Sequence, residues 1–326
     1  MRNKLMAVLL LAGVTVILAA CTGGAATQAP TSAPPEPTAI PAPTESPATM
    51  LGGRLLFSRF IEATHTFTGM FVSRADGTAE TAVPLPWTEG GGRWSRSGTQ
   101  IAVATLLADE RVGTAIIAPD GTVLRVLEIP DATLNLVCTV WSRDDARLAC
   151  EAWDDADPSR RGIYTVRASD GGDLQRLTTP PDGMGDLPGD YSPDGQFVFK
   201  RYAGDEGDGP LMLVNASAGE PRPLYTSPVE DPGRFAPDGR SLVTSTQGRL
   251  LVINLDGTVL HQITVNGSYL FGPAWSPDGT RIAFSLTTGG YFADVYTSLP
   301  DGTDRRQVTE TVRDNEITVD WGVDGG

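Results

Sequence analysis

Trp275-Ser276-Pro277-Asp278-Gly279-Thr280-Arg281-Ile282-Ala283-Phe284 is the stretch that decides how this chain folds. Ser-Pro-Asp-Gly suits a type I turn: proline presets φ at the second position and aspartate fits the third. Gly279 takes the left-handed residue that lets a hairpin continue through a bulge. The turn separates an apolar run ending in Trp275 from the strand-like Ile282-Ala283-Phe284. A single hairpin cannot bury its own faces, so the recurrence of the unit is what carries the fold.

The unit recurs at Trp94-Ser95-Arg96-Ser97-Gly98 and, without its turn glycine, at Trp141-Ser142-Arg143-Asp144-Asp145. It follows again at Tyr191-Ser192-Pro193-Asp194-Gly195, Phe235-Ala236-Pro237-Asp238-Gly239 and, last, Trp321-Gly322-Val323-Asp324-Gly325. The steps between aromatics are 47, 50, 44, 40 and 46 residues, a spacing that reads as propeller blades. A second turn recurs between them at Asp76-Gly77, Asp120-Gly121, Asp170-Gly171, Ala218-Gly219, Asp256-Gly257 and Asp301-Gly302, giving four strands per blade. Gly53 to Phe57 is a second strand without its preceding turn, and Trp321 to Gly325 is a turn without its following strand. Joined, they complete a blade and leave no open sheet edge. The expected fold is therefore all-β, a six-bladed propeller over 51–326, closed by pairing the C-terminal strand with the N-terminal blade.

The pattern Trp-Ser-Pro-Asp-Gly-x-x-Ile-Ala-Phe, with Asp-Gly-Thr and an Arg-Gln-Val-Thr-like strand behind it, resembles the TolB-type propeller repeat. Residues 275 to 309 carry it best, and 51 to 326 carry it at lower fidelity. The resemblance implies the fold and leaves function open. The repeat belongs to TolB, a periplasmic envelope protein that binds partners, to propeller domains of prolyl-oligopeptidase-like and tricorn-like proteases, and to oligogalacturonate lyases. This chain departs from TolB in carrying a tether where TolB has an N-terminal α/β domain.

Residues 1–20 read as an export signal: basic Arg2 and Lys4, an apolar run from Leu5 to Leu18, then small residues before Cys21. Leu18-Ala19-Ala20-Cys21 looks like a bacterial lipobox, which implies acylation of Cys21 and a membrane anchor outside the cytoplasm. Residues 21–50, with prolines at 30, 34, 35, 37, 41, 43 and 47, read as a semi-stiff stalk. Acidic residues outnumber basic ones by 40 to 25, and removing Arg2 and Lys4 takes the balance from −15 to −17. That charge speaks against nucleic acid as a partner.

Chemistry-bearing residues are few. The repeat aspartates Asp194, Asp238, Asp278 and Asp324 read as turn formers. The chain has no Gly-x-Ser-x-Gly, and its two histidines, His65 and His261, fall in a hairpin loop and an outer strand. Cys138 and Cys150 lie symmetrically about residue 144, so an antiparallel pair sets them opposite each other, as a bridge or as two buried thiols. Acidic residues precede the repeat aromatics, and Glu89, Asp131, Asp186, Asp190, Glu230, Asp314 and Glu316 are the candidate binding mouth. If they converge, their summed field attracts a cation or a basic segment of a protein partner. The expectation is a monomeric, non-enzymatic, lipid-anchored binding or scaffold module of the cell envelope, with no cofactor. The alternative is a carbohydrate-active or sugar-binding protein using the channel mouth with a carboxylate-bound Ca²⁺.

Overall fold

The computed structural model describes residues 51–325, apart from 62–63, 65, 86–90, 205–206, 218, 288–291 and 312–313, and at 319 the backbone alone. The export signal, Cys21, the stalk, His65, Glu89 and Ala218 lie outside the described residues.

Six four-stranded antiparallel sheets make up the fold. Blade A is β1 (Arg54–Ile61), β2 (Thr66–Arg74) and β3 (Thr81–Val83), completed by the last strand, β24 (Asp314–Gly322). Blade B holds β4 (Gly92–Trp94), β5 (Ile101–Leu106), β6 (Val112–Ile117) and β7 (Val123–Val126). Blade C runs from β8 (Asn135–Trp141) through β9 (Arg147–Trp153) and β10 (Gly162–Arg167) to β11 (Gln175–Arg176). Blade D holds β12 (Met184–Tyr191), β13 (Gln196–Ala203), β14 (Gly209–Asn215) and β15 (Arg222–Val229). Blade E is β16 (Arg234–Phe235), β17 (Ser241–Thr246), β18 (Arg249–Asn254) and β19 (Val259–Ile263). Blade F is β20 (Leu270–Trp275), β21 (Ile282–Thr287), β22 (Ala293–Ser298) and β23 (Arg306–Gln307).

The turn that opened the sequence folds as its residues dictate. Gly279 N–H donates to the Ser276 carbonyl and Ser276 N–H to the Arg281 carbonyl, both at 2.9 Å. Asp278 accepts from Ser276 Oγ at 2.6 Å and Thr280 N–H at 3.0 Å, while Gly279 sits at φ +72°. The aspartate is a turn residue. In the last copy, Asp324 accepts Gly53 N–H at 3.1 Å and so ties the final turn to the first strand. Behind it, Leu55 pairs with Trp321 and Phe57 with Thr318 in the closing ladder.

The core is divided in an informative way. Each buried cluster lies between two blades, and there is one cluster for each of A/B, B/C, C/D, D/E, E/F and F/A. The strand period of two explains this: Ile282 and Phe284 face blade E, while Ala283 between them faces blade A. Small residues on one blade receive large ones from the next. Ala102 shares a cluster with Trp141, and Ala283 with Trp321. The tryptophan of the repeat and the alanine of Ile-Ala-Phe are two halves of one contact.

Cys138 and Cys150 are cross-strand partners of β8 and β9 and are joined by a disulfide with sulfurs 2.13 Å apart.

Candidate functional site: the turn end of the central channel

The innermost strands of all six blades end at one cavity of about 180 Å³. Two positions of each repeat line it. The residue before the aromatic contributes Arg93, Asp190, Arg234 and Asp320, with the neutral Val140 and Ala274 in the other two blades. The second residue after the aromatic contributes Arg96 and Arg143, where other copies place the turn proline.

The two aspartates hold blades together. Asp190 accepts the backbone N–H of Tyr191 at 2.9 Å and of Phe235 in the next blade at 3.1 Å, and pairs with Arg96. Burial alone would raise the Asp190 carboxyl, but the guanidiniums of Arg96, Arg143, Arg234 and Arg93 outweigh it and hold it below the usual carboxylate range. Asp320 accepts Trp94 N–H at 3.0 Å. Indole groups make matching bonds. Trp141 Nε1 donates to the Arg93 carbonyl and Trp275 Nε1 to the Arg234 carbonyl, each at 3.1 Å.

The arginines are less fully matched. Arg143 Nε donates to the Tyr191 carbonyl at 2.8 Å, yet its Nη2 is buried without an acceptor, as are Arg96 Nε and Trp94 Nε1. Burial, reinforced by the charge of Arg234, pulls the Arg93 guanidinium well below its ordinary value. Burial and then Arg96 lower Arg143.

The residues of the acidic mouth meet different partners. Asp186 and Arg201 are cross-strand neighbours, and the guanidinium reaches both carboxylate oxygens at 2.7 and 2.8 Å. Glu316 faces Arg59 across β24 and β1 and accepts from Arg59 Nε at 2.8 Å. Asp131 pairs with Arg160, which, with the Thr133 N–H, holds its carboxyl down at about 2. Glu230 binds Gln247 N–H at 2.9 Å, Ser245 Oγ at 3.2 Å and the Tyr269 hydroxyl. Burial raises both Glu230 and Glu316 above the usual glutamate range. Asp190 belongs to the arginine-lined end, and Asp314 opens β24 half-buried. Asp131, Asp186, Asp190 and Glu316 each meet an arginine, whereas the partners of Glu230 are uncharged. Sequence reasoning missed the arginines, although two of them announce themselves by replacing the turn proline.

A larger cavity of about 510 Å³ lies between blades B and C, beside Gln100, Arg125 and Asp145. Asp145 stands where other repeats carry glycine, at φ +57°. Its carboxylate accepts Arg96 N–H at 2.7 Å and Ser97 N–H at 2.9 Å from the neighbouring turn. The lost glycine is thus exchanged for a bond between blades. Among the described residues no group of three His, Cys, Asp or Glu side chains could hold a metal ion. His261 is exposed on β19.

No protein-family model matches the sequence, and no curated protein matches it. Solved structures do. TolB from Acinetobacter baumannii superposes at TM-score 0.60 with 18% identity, over 82% of this chain and 67% of that one. A putative TolB from Agrobacterium tumefaciens gives TM-score 0.58 and 15% identity, over 83% and 98%. An oligogalacturonate lyase in complex with manganese gives 0.50 and 15%, over 76% and 75%. The chain has a TolB-like six-bladed propeller fold.

Proposed function

Starting from that TolB-like ring, we propose that the protein is a non-enzymatic binding or scaffold module displayed outside the cytoplasm, anchored by an acylated Cys21 and raised on the 21–50 stalk. One observation carries the reading: the carboxylates around the channel serve as joints between neighbouring segments. Asp190, Asp320 and Asp145 accept backbone N–H groups of adjacent blades, and Glu230 caps Gln247 N–H. Groups committed in this way stiffen a recognition surface; general acid–base work needs carboxylates within reach of substrate. The partner is a protein that docks on the ring, with the lipid holding the module to the membrane. The strongly acidic chain, at −15, is unsuited to nucleic acid.

The fold likeness to the lyase supports a second reading, a carbohydrate-active or sugar-binding protein using the channel with Ca²⁺. Two measurements separate the readings. In the native host, the Cys21→Ser chain should leave the membrane fraction, and crosslinking of the intact chain should yield a defined protein adduct that is lost when the ring is opened by Trp321→Ala. Incubation with polygalacturonate and Ca²⁺ or Mn²⁺ should give no unsaturated product. Metal-dependent turnover would overturn the non-enzymatic reading, and unchanged fractionation of Cys21→Ser would remove the anchor.

A further inference from the structure

Four guanidiniums and two carboxylates line the turn end of the channel, a formal surplus of two positive charges around about 180 Å³. The rest of the chain is strongly acidic, so this surplus is local and of opposite sign to the whole. Both aspartates accept backbone N–H groups, and Asp190 also takes one nitrogen of the Arg96 guanidinium, so the surplus is what remains after that pair. Donors on three lining residues, Arg96 Nε, Arg143 Nη2 and Trp94 Nε1, are enclosed without acceptors, and Trp94 itself is only 3% exposed. Buried donors of this kind are normally satisfied, and leaving one unmet is destabilising. Arg96 keeps 32% of its side chain exposed, so the site is reachable from outside.

We propose that this end of the channel binds a small dianionic oxyanion, a short dicarboxylate in class, held by Arg96 and Arg143 from the turns and by Arg93 and Arg234 from the strands. Two negative charges match the surplus. The planar fork of arginine suits a carboxylate, which it meets with two parallel N–H bonds. The volume equals the liquid share of about six waters, at roughly 30 Å³ each, and so admits a short diacid better than a folded segment of a partner. Closeness to arginines that repel one another makes an anion stabilising here where it would be repelled elsewhere on the surface. The site goes beyond the binding-module reading and does not depend on the tether or on a protein partner.

The test is calorimetric titration and thermal melting of the whole exported chain with succinate, sulfate and acetate as probes. Succinate should raise the melting temperature and bind at least about tenfold tighter than acetate, the size of one charge-assisted hydrogen bond. Arg143→Gln should weaken succinate binding by about tenfold or more, while Arg240→Gln, an exposed arginine outside the cavity, should leave it unchanged. If Arg143→Gln fails to melt cooperatively, Arg143→Lys should bind more weakly than wild type, since it keeps the charge and loses the fork. The comparison of succinate with acetate on wild type then decides alone. Equal binding of acetate and succinate, no binding of either, or wild-type affinity in a folded Arg143→Gln chain would each overturn the site. Sulfate bound in clear preference to succinate would overturn the dicarboxylate class.

Discussion

Truncating Trp321 to alanine should remove a large share of the domain's stability, although the residue lies five positions from the last one, Gly326. Trp321 is 5% exposed and packs in the F/A cluster with Leu55, Phe57 and Ala283. Its indole N–H donates to the Gly52 carbonyl at 3.1 Å. Replacing a buried tryptophan by alanine costs about 3–5 kcal/mol, and the lost hydrogen bond adds about 1. A sum of about 4–6 kcal/mol is a large fraction of the ~5–15 that holds a typical domain together. Trp321→Phe, which keeps most of the apolar bulk and loses the donor, should cost about 1–2 kcal/mol. Leu260→Ala, on the outer strand β19 with 49% exposure, should stay within about 0.5 kcal/mol. Urea unfolding followed by circular dichroism measures all three without relying on the tryptophan being removed. A Trp321→Ala midpoint no lower than that of Leu260→Ala would mean that β24 does not close the ring.

Asp145→Gly should relax the left-handed backbone yet destabilise the fold by about 1 kcal/mol, because two charge-assisted bonds to blade B outweigh the relief; a more stable glycine variant in urea would refute the joint. Cys138→Ala paired with Cys150→Ala should cost about 3 kcal/mol for a bridge spanning 12 residues, and a reductant should lower the wild-type melting temperature but not that of the variant. Asp131 is held at about 2, so its contribution is present above its unfolded value and is lost as pH falls through the folded one; Asp131→Asn should flatten the acid limb between about pH 4 and 2. Glu316 runs the other way. Its folded value is raised, so its contribution is full below the unfolded value near 4.5 and is lost as pH rises through the folded value, and Glu316→Gln should show a shallower decline over that interval.

Much of the fold was legible because the repeat is written in local chemistry. Ser-Pro-Asp-Gly encodes its own turn, and the unmatched halves at Gly53 to Phe57 and Trp321 to Gly325 encode the closure. The site was less legible for a physical reason. Asp186 and Arg201 are separated by 15 residues and Arg59 and Glu316 by 257, yet both are cross-strand neighbours. A scan along the chain sees gathered acids and not the arginines that meet them through register. The channel arginines left a trace, since Arg96 and Arg143 stand where Pro193, Pro237 and Pro277 stand in other copies. That departure from the repeat carried more information than the acidic clustering did.

The division of the core into six seams gives the ring a sense of rotation. Isoleucine and phenylalanine of β21 point back to one neighbour and alanine points on to the next, and the same handing-on recurs at Ala102 and Trp141. A ring built this way has no privileged first blade. Gly53 and Asp324 already touch at 3.1 Å, so a short peptide linking them would leave every seam intact. The ends could then be moved to an outer turn such as the one at Asp256, which is exposed, giving a circular permutant with the blades in a different order. A transplanted blade, by contrast, would be accepted only between neighbours that offer it small residues on one side and large ones on the other. Duplication can lengthen such a ring, but each new copy has to match both of its seams.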